Sequence, residues 1–128
     1  MKKDAKRKIF IVEDDLPTVE VYKTALEAAG FKVEVANWGA EAIKKIKENK
    51  KKPDLILLDL ILPDINGMEV LGQLRGEEQT KDILVFILTN YTDEELVKMG
   101  YKLDAAEFLT KTDYPPSKLL GIIKEKLK

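Results

Sequence analysis

Cysteine and histidine are both missing from these 128 residues. The first absence removes disulfides, thiolate nucleophiles and cysteine-based zinc sites, and permits a reducing compartment. The second removes the commonest general base and metal ligand, so carboxylates, hydroxyls and lysines must carry any chemistry. A charge excess is lacking too: 22 basic and 23 acidic residues leave a net charge of −1, which recruits neither nucleic acid nor anionic membrane through its overall field. No apolar run approaches membrane-spanning length, and the opening MKKDAKRK is charged without the apolar core of a signal peptide. A cytoplasmic protein without membrane contact is expected. The length suits one domain over residues 1–128, with 1–7 as a flexible basic tail and nothing that resembles a linker to a second unit. The lysines from Lys44 to Lys52 suggest a polyanion site at first sight, but they alternate with Ile43 and Ile46, the pattern of a solvated helix face.

What is present is a series of short apolar runs that end in polar groups. Ile9 to Val12 is followed without a gap by Glu13, Asp14 and Asp15; Asp54 to Leu58 by Asp59; and Ile83 to Leu88 by Thr89 and Asn90. Runs of this length between turn residues read as strands buried on both faces. Two weaker strands are expected at Phe31, Val33 and Val35, which alternate with Lys32 and Glu34, and at Ala105 to Leu109, closed by Thr110 and Lys111.

Helices fill the intervals. From Pro17, apolar residues Val19, Tyr22, Leu26 and Ala29 recur at helical spacing until Gly30. Asn37 is a candidate cap for a helix burying Ala42, Ile43 and Ile46. After the turn-rich stretch Leu62 to Gly67, a short helix carries Val70, Leu71 and Leu74 and stops near Gly76. Thr92 and Glu95 match the capping box of a fourth helix containing Leu96, Val97 and Met99, and Pro115 or Pro116 begins a last one with Leu119, Leu120, Ile123 and Leu127 on one side.

Five strands alternating with five helices imply an α/β, doubly wound parallel sheet. The three continuous runs must be interior and the two mixed ones edges, so right-handed crossovers give the order 2-1-3-4-5, the flavodoxin-like (βα)5 arrangement. Its switch point lies between the first and third strands, which end in Glu13, Asp14 and Asp59. Each tip residue has an ordinary structural account: an acid can cap a helix or start a turn, a threonine can end a strand, a lysine can be solvated. Their convergence on one crevice points further. Crowded carboxylates need a cation, and all-oxygen ligation selects a hard ion such as Mg²⁺. Thr89 and Lys111 suit a phosphoryl group, and the candidate nucleophile left is a carboxylate, which at Asp59 would form an aspartyl phosphate.

Over essentially its whole length the chain resembles a stand-alone response-regulator receiver domain of two-component signalling. The stretches that carry the resemblance are IFIVEDD, PDLILLDLILPDINGMEV, ILTN and AAEFLTK. It implies that Asp59 is the phosphoacceptor and that Asp14 binds Mg²⁺ directly, with Glu13 acting mainly through water and Ile61 giving its backbone carbonyl. Thr89 and Lys111 would hold the phosphoryl oxygens, and Phe108 would be the aromatic switch residue that follows Thr89. The implied partners are a sensor histidine kinase or phosphotransfer protein and a downstream target protein. The protein would be a monomer or a weak phosphorylation-dependent dimer, catalysing only its own phosphorylation and dephosphorylation, with a readout face formed by the fourth helix, the fifth strand and the last helix. No DNA-binding motif follows, so direct nucleic-acid contact is not expected.

Three positions depart from the family pattern. Thr112 stands where proline usually follows the lysine, and a cis bond before a non-proline residue costs about 2.5–4 kcal/mol, so a trans bond is expected. Asn90 replaces a small residue and Asp104 a common glycine. Ile61 and Tyr91 occupy positions that tune dephosphorylation, where bulk would shield the phosphoryl group from water and give a long-lived phosphoprotein. Competing readings are a flavin mononucleotide electron carrier of the same topology, an aspartate-based phosphohydrolase, and a receiver-like binding module that works without phosphorylation. Three acids after the first strand disfavour the first, and Ile61 in place of a second acid disfavours the second.

Overall fold

A computed structural model describes residues 6–92, 94–95 and 105–128. Five strands, β1 (Lys8–Val12), β2 (Lys32–Ala36), β3 (Leu55–Leu58), β4 (Leu84–Thr89) and β5 (Glu107–Thr110), form one parallel sheet in the order β2-β1-β3-β4-β5. The flavodoxin-like order expected from the wetness of the strands is the order observed. All of β1 and β3 is buried and β2 is mostly half-exposed, as an edge should be. Four helices are described: α1 (Leu16–Ala28), α2 (Gly39–Glu48), α3 (Gly67–Arg75) and α4 (Pro116–Lys126).

The two-residue period of the strands divides the core in two. Phe10, Val12, Ile56, Leu58, Val85 and Ile87 face α2 and α3, meeting Ile43, Ile46, Val70 and Leu74. Ile9, Ile11, Leu55, Leu57, Phe86 and Leu88 face α1 and α4, meeting Tyr22, Leu26, Leu119 and Ile123. Each fully buried side chain of this kind contributes about 1.5–3 kcal/mol, so both layers anchor the strands up to their last paired residues.

Several boundaries move, each for a local reason. Asp54 lies outside β3 because its carboxylate accepts from the Lys8 N–H at 2.7 Å. Phe31 closes the turn after α1, donating to the Leu26 carbonyl, with Gly30 at φ 98° in the left-handed region that a side chain disfavours. Asn37 does not cap α2: the N-cap position is Trp38, without a side-chain bond, and the carboxylate of Asp64 accepts instead from Gly39 and Ala40 N–H at 2.8 and 2.9 Å. The capping box is present, with Thr92 N–H donating to Glu95 Oε1 at 2.9 Å and Glu95 N–H to Thr92 Oγ1 at 3.1 Å. The body of that fourth predicted helix, and Asp104, lie outside the described residues. Of the expected tail, Lys6 and Arg7 are described, and the Arg7 carbonyl accepts from Lys32 N–H at 2.9 Å. The Lys111–Thr112 bond is trans, since no cis bond occurs among the described residues.

Candidate functional site

The carboxyl ends of β1, β3, β4 and β5 meet at a cleft of about 280 Å³ lined by Glu13, Asp14, Asp15, Thr18, Asp59, Ile61, Asn90 and Lys111. The register brings them there: Val12 lies beside Leu58, Leu58 beside Ile87, and Thr89 beside Thr110. Each tip residue is therefore the next one along from a paired rung. Glu13 and Asp59 are buried, Asp14 is exposed, and their carboxylate oxygens lie within 4.8 Å of one another.

Lys111 closes the group from β5. Its Nζ donates to Asp59 Oδ2 at 3.0 Å and pairs with Glu13 Oε1, while its backbone N–H donates to the Thr89 carbonyl at 2.8 Å. Asp59 Oδ1 accepts from Ile61 N–H at 3.2 Å. Burial pushes the Glu13 carboxyl up to about 7, with the Asp59 charge adding and the Lys111 contact opposing. Burial pulls on Lys111 in the opposite sense, but its bonds to Glu13 and Asp59 outweigh that and hold the ammonium above its ordinary value.

Three carboxylates face one lysine, which leaves a deficit of positive charge at the cleft. A divalent cation would remove that deficit, and an oxygen-only donor set of this kind fits Mg²⁺. Among the described residues, Glu13, Asp14 and Asp59 form a group that could hold it.

Not every expected tip residue joins the cluster. The Asp15 carboxylate caps α1 through Thr18 N–H at 3.1 Å, and the Thr18 side-chain and backbone bonds lower its pKa. Thr89 is 1% exposed and sits beneath the cleft rather than lining it; its Oγ1 accepts from Tyr91 N–H at 3.5 Å. Phe108 is half-buried on β5 beside Ile87, packed against the α2 and α3 layer.

Three shaping residues escaped sequence reasoning. Gly67 donates to the Leu60 carbonyl at 2.9 Å, and a Cβ on it would meet the Asp59 carbonyl oxygen at 2.3 Å, so only glycine lets α3 start this close to the end of β3. Asp64 serves α2 from 24 residues away, and Asn37 Nδ2 donates to the Glu13 carbonyl at 3.0 Å. Gly67 could have been suspected as the glycine closing a turn-rich loop; the other two make contacts that no local pattern encodes.

The sequence matches the response regulator receiver domain family over residues 9–124. It is 38% identical over 110 residues to the alkaline phosphatase synthesis transcriptional regulatory protein PhoP of Bacillus subtilis, covering 85% of this chain and 44% of that protein. It is 36% identical over 118 residues to the phosphate regulon transcriptional regulatory protein PhoB of Escherichia coli, covering 92% and 50%. The chain thus spans about half the length of these curated relatives. Among solved structures, a CheY-like response regulator receiver domain protein from Methanospirillum hungatei superposes with a TM-score of 0.83 at 30% identity, covering 96% of this chain and 94% of that one. The phosphorylated cyanobacterial phytochrome response regulator RcpA gives 0.79 at 32%, covering 94% and 91%. These likenesses do not favour a flavin carrier, a phosphohydrolase or a phosphorylation-independent module.

Proposed function

The chain belongs to the family of response regulator receiver domains, the phosphoryl-accepting component of two-component phosphorelay signalling, and within that family we propose that Asp59 is the phosphoacceptor. The observation that carries this reading is the grip of one lysine on two buried carboxylates from different strands, beside a third carboxylate at the mouth of the same cleft. In the transfer an Asp59 oxygen forms a bond to phosphorus as the P–N bond of a donor phosphohistidine breaks, the electron pair leaving on the imidazole nitrogen. Lys111 pairs with Asp59 beforehand and afterwards offers its charge to the new phosphoryl oxygens. Thr89, one rung below Lys111, supplies a hydroxyl that reaches the same oxygens once β4 adjusts. Mg²⁺, which receiver domains bind at this acidic pocket, would be held by Asp14 and Asp59, with Glu13 acting through water and the Ile61 carbonyl completing the set, and would offset charge on the transferring group.

The donor in this reading is a sensor histidine kinase or phosphotransfer protein, and the product signals to a downstream protein, in the cytoplasm, through β5, α4 and the fourth helix expected from the sequence, whose body lies outside the described residues. Action through protein contact rather than nucleic acid is proposed for this chain alone, its longer relatives being transcriptional regulators. Phosphorylation brings roughly 1.5 to 2 negative charges and three acceptor oxygens. Moving a population from about 1:99 to 99:1 takes roughly 5.5 kcal/mol, a large demand on Thr89 and Lys111, so the active arrangement is partly populated without phosphate. Phe108, with Thr89 and Lys111, abuts the readout face and serves as its switch. The test is incubation with a small acyl phosphate and Mg²⁺ followed by intact mass: one phosphate added to the wild type and none to Asp59→Asn is expected, and equal labelling of both would overturn the assignment.

A further inference from the structure

The sheet fixes the metal-cluster tips only as far as its last rungs. Asp59 N–H donates to the Val12 carbonyl at 3.1 Å, and Glu13 N–H to the Ala36 carbonyl at 3.0 Å. Past those bonds the chain leaves the ladder, and although Lys111 grips Glu13 and Asp59, one counter-charge does not cancel the push between three acidic side chains within 4.8 Å of one another. The turn between β2 and α2 resists that push from both sides. On the β1 side, Asn37 Nδ2 donates to the Glu13 carbonyl at 3.0 Å. Two residues on, the Gly39 and Ala40 N–H groups donate to the two carboxylate oxygens of Asp64 at 2.8 and 2.9 Å. Asp64 belongs to the loop leaving Asp59, whose far end is closed by Gly67 N–H on the Leu60 carbonyl. The fit between turn and loop is close: a Cβ on Gly39 would stand 2.5 Å from the Ile65 side chain.

We infer that Asn37 and Asp64 are the two arms of a bracket that sets the spacing between Glu13 and the loop beginning at Asp59, which makes Asp64 a positioning residue for a divalent cation it never touches. The inference rests on the reading of Glu13, Asp14 and Asp59 as the metal cluster. Carboxylates already held at ligand spacing need no rearrangement when the cation arrives, whereas loosened ones must be drawn together at the expense of affinity. Groups bonded directly to a metal ligand change metal affinity by about 10–100-fold when removed, and Asp64, which acts through the Gly39 and Ala40 backbone, should fall at the low end of that range.

The experiment measures Mg²⁺ affinity by calorimetry, and acyl-phosphate labelling against Mg²⁺ concentration, for the wild type, Asp64→Ala, Asp64→Asn and Asn37→Ala. Asp64→Ala should bind Mg²⁺ about 10-fold more weakly and need correspondingly more Mg²⁺ for half-maximal labelling, with the same labelled fraction at saturation. Asp64→Asn keeps one acceptor oxygen at the end of α2 but sets an NH2 against the other N–H, so it should recover part of the loss and lie between Asp64→Ala and the wild type. Asn37→Ala should weaken Mg²⁺ binding while α2 stays capped by Asp64. A purely structural cap would lower the melting temperature of Asp64→Ala and leave its Mg²⁺ affinity at the wild-type value, which would overturn the bracket. Unchanged affinity in Asn37→Ala would overturn it equally, even if Asp64→Ala did not fold. A wild type that bound no Mg²⁺ would instead sink the metal reading, and the bracket with it.

Discussion

A methyl group added at Gly67 would stand 2.3 Å from the carbonyl oxygen of Asp59 and 2.7 Å from the Leu60 Cα. Both are backbone atoms, so no side chain can swing aside. Ordinary contact begins near 3.4 Å, and the start of α3 and the end of β3 would have to part by about 1 Å. Forced overpacking of this kind costs about 1–3 kcal/mol, and separation also strains the Gly67 bond to Leu60, worth about 1 kcal/mol more. With a urea dependence of about 1–3 kcal/mol/M, Gly67→Ala should lower the unfolding midpoint by roughly 1–2 M. Its folded fraction should take phosphate from an acyl phosphate about 100-fold more slowly, because a 1 Å misplacement of a reacting group costs about that factor. Gly72→Ala on the same helix is the control: its Cβ would meet nothing within 4 Å, and replacing a helical glycine should stabilise by about 0.5–1 kcal/mol with labelling unchanged. Equal midpoints and equal labelling rates for the two variants would refute the claim that Gly67 sets the acceptor's position.

In metal-free protein, the Glu13 carboxyl raised from 4.5 to about 7 means that the folded state holds a proton the unfolded state releases. That contribution is complete below pH 4.5 and disappears as pH rises through 7, a loss of about 3 kcal/mol that urea titrations in chelator should record and that saturating Mg²⁺ should abolish. The Asp64 carboxyl is lowered, chiefly by the Ala40 N–H, so its contribution is present above 3.8 and lost as pH falls through its depressed value; Asp64→Asn should flatten the acid limb of the same titration. Lys111→Met leaves Glu13 and Asp59 facing each other without their counter-charge, and should cost about 3 kcal/mol in chelator, with most of the loss restored by Mg²⁺. Ile61, 50% exposed at the lip of the cleft, should retard water attack on a phosphorylated Asp59; Ile61→Gly should shorten the lifetime of the label, and a wild-type lifetime of seconds would refute the shielding. Thr92→Ala removes one half of a reciprocal cap and should cost about 1 kcal/mol in thermal unfolding.

The sheet was legible because its signal is local. Ile9–Val12 and Leu55–Leu58 are apolar throughout, which only an interior parallel strand requires, and the polar alternation of Lys32–Ala36 marks an edge. The strand order followed from that difference, and with it the meeting of Glu13, Asp14, Asp59 and Lys111. What was not legible depends on contacts between distant segments. Asn37 looks like a cap, yet its amide is drawn to Glu13 while a carboxylate from another loop takes the helix end. Asp15 looks like a third acid at the tip, yet Thr18 turns its carboxylate to α1. The closeness of Gly67 to Asp59 depends on the angle at which α3 leaves the sheet, and no residue spacing records an angle.

Locating the phosphoryl group at residue level tests the central claim most directly. The wild type, labelled with a small acyl phosphate and Mg²⁺, would be digested and its modified peptide sequenced by mass, with a second sample first treated with hydroxylamine, which cleaves acyl phosphates and spares phosphate esters. The expected result is a single hydroxylamine-sensitive phosphate on Asp59, absent when Mg²⁺ is chelated; a label on any other residue, or one that survives hydroxylamine, would contradict the account.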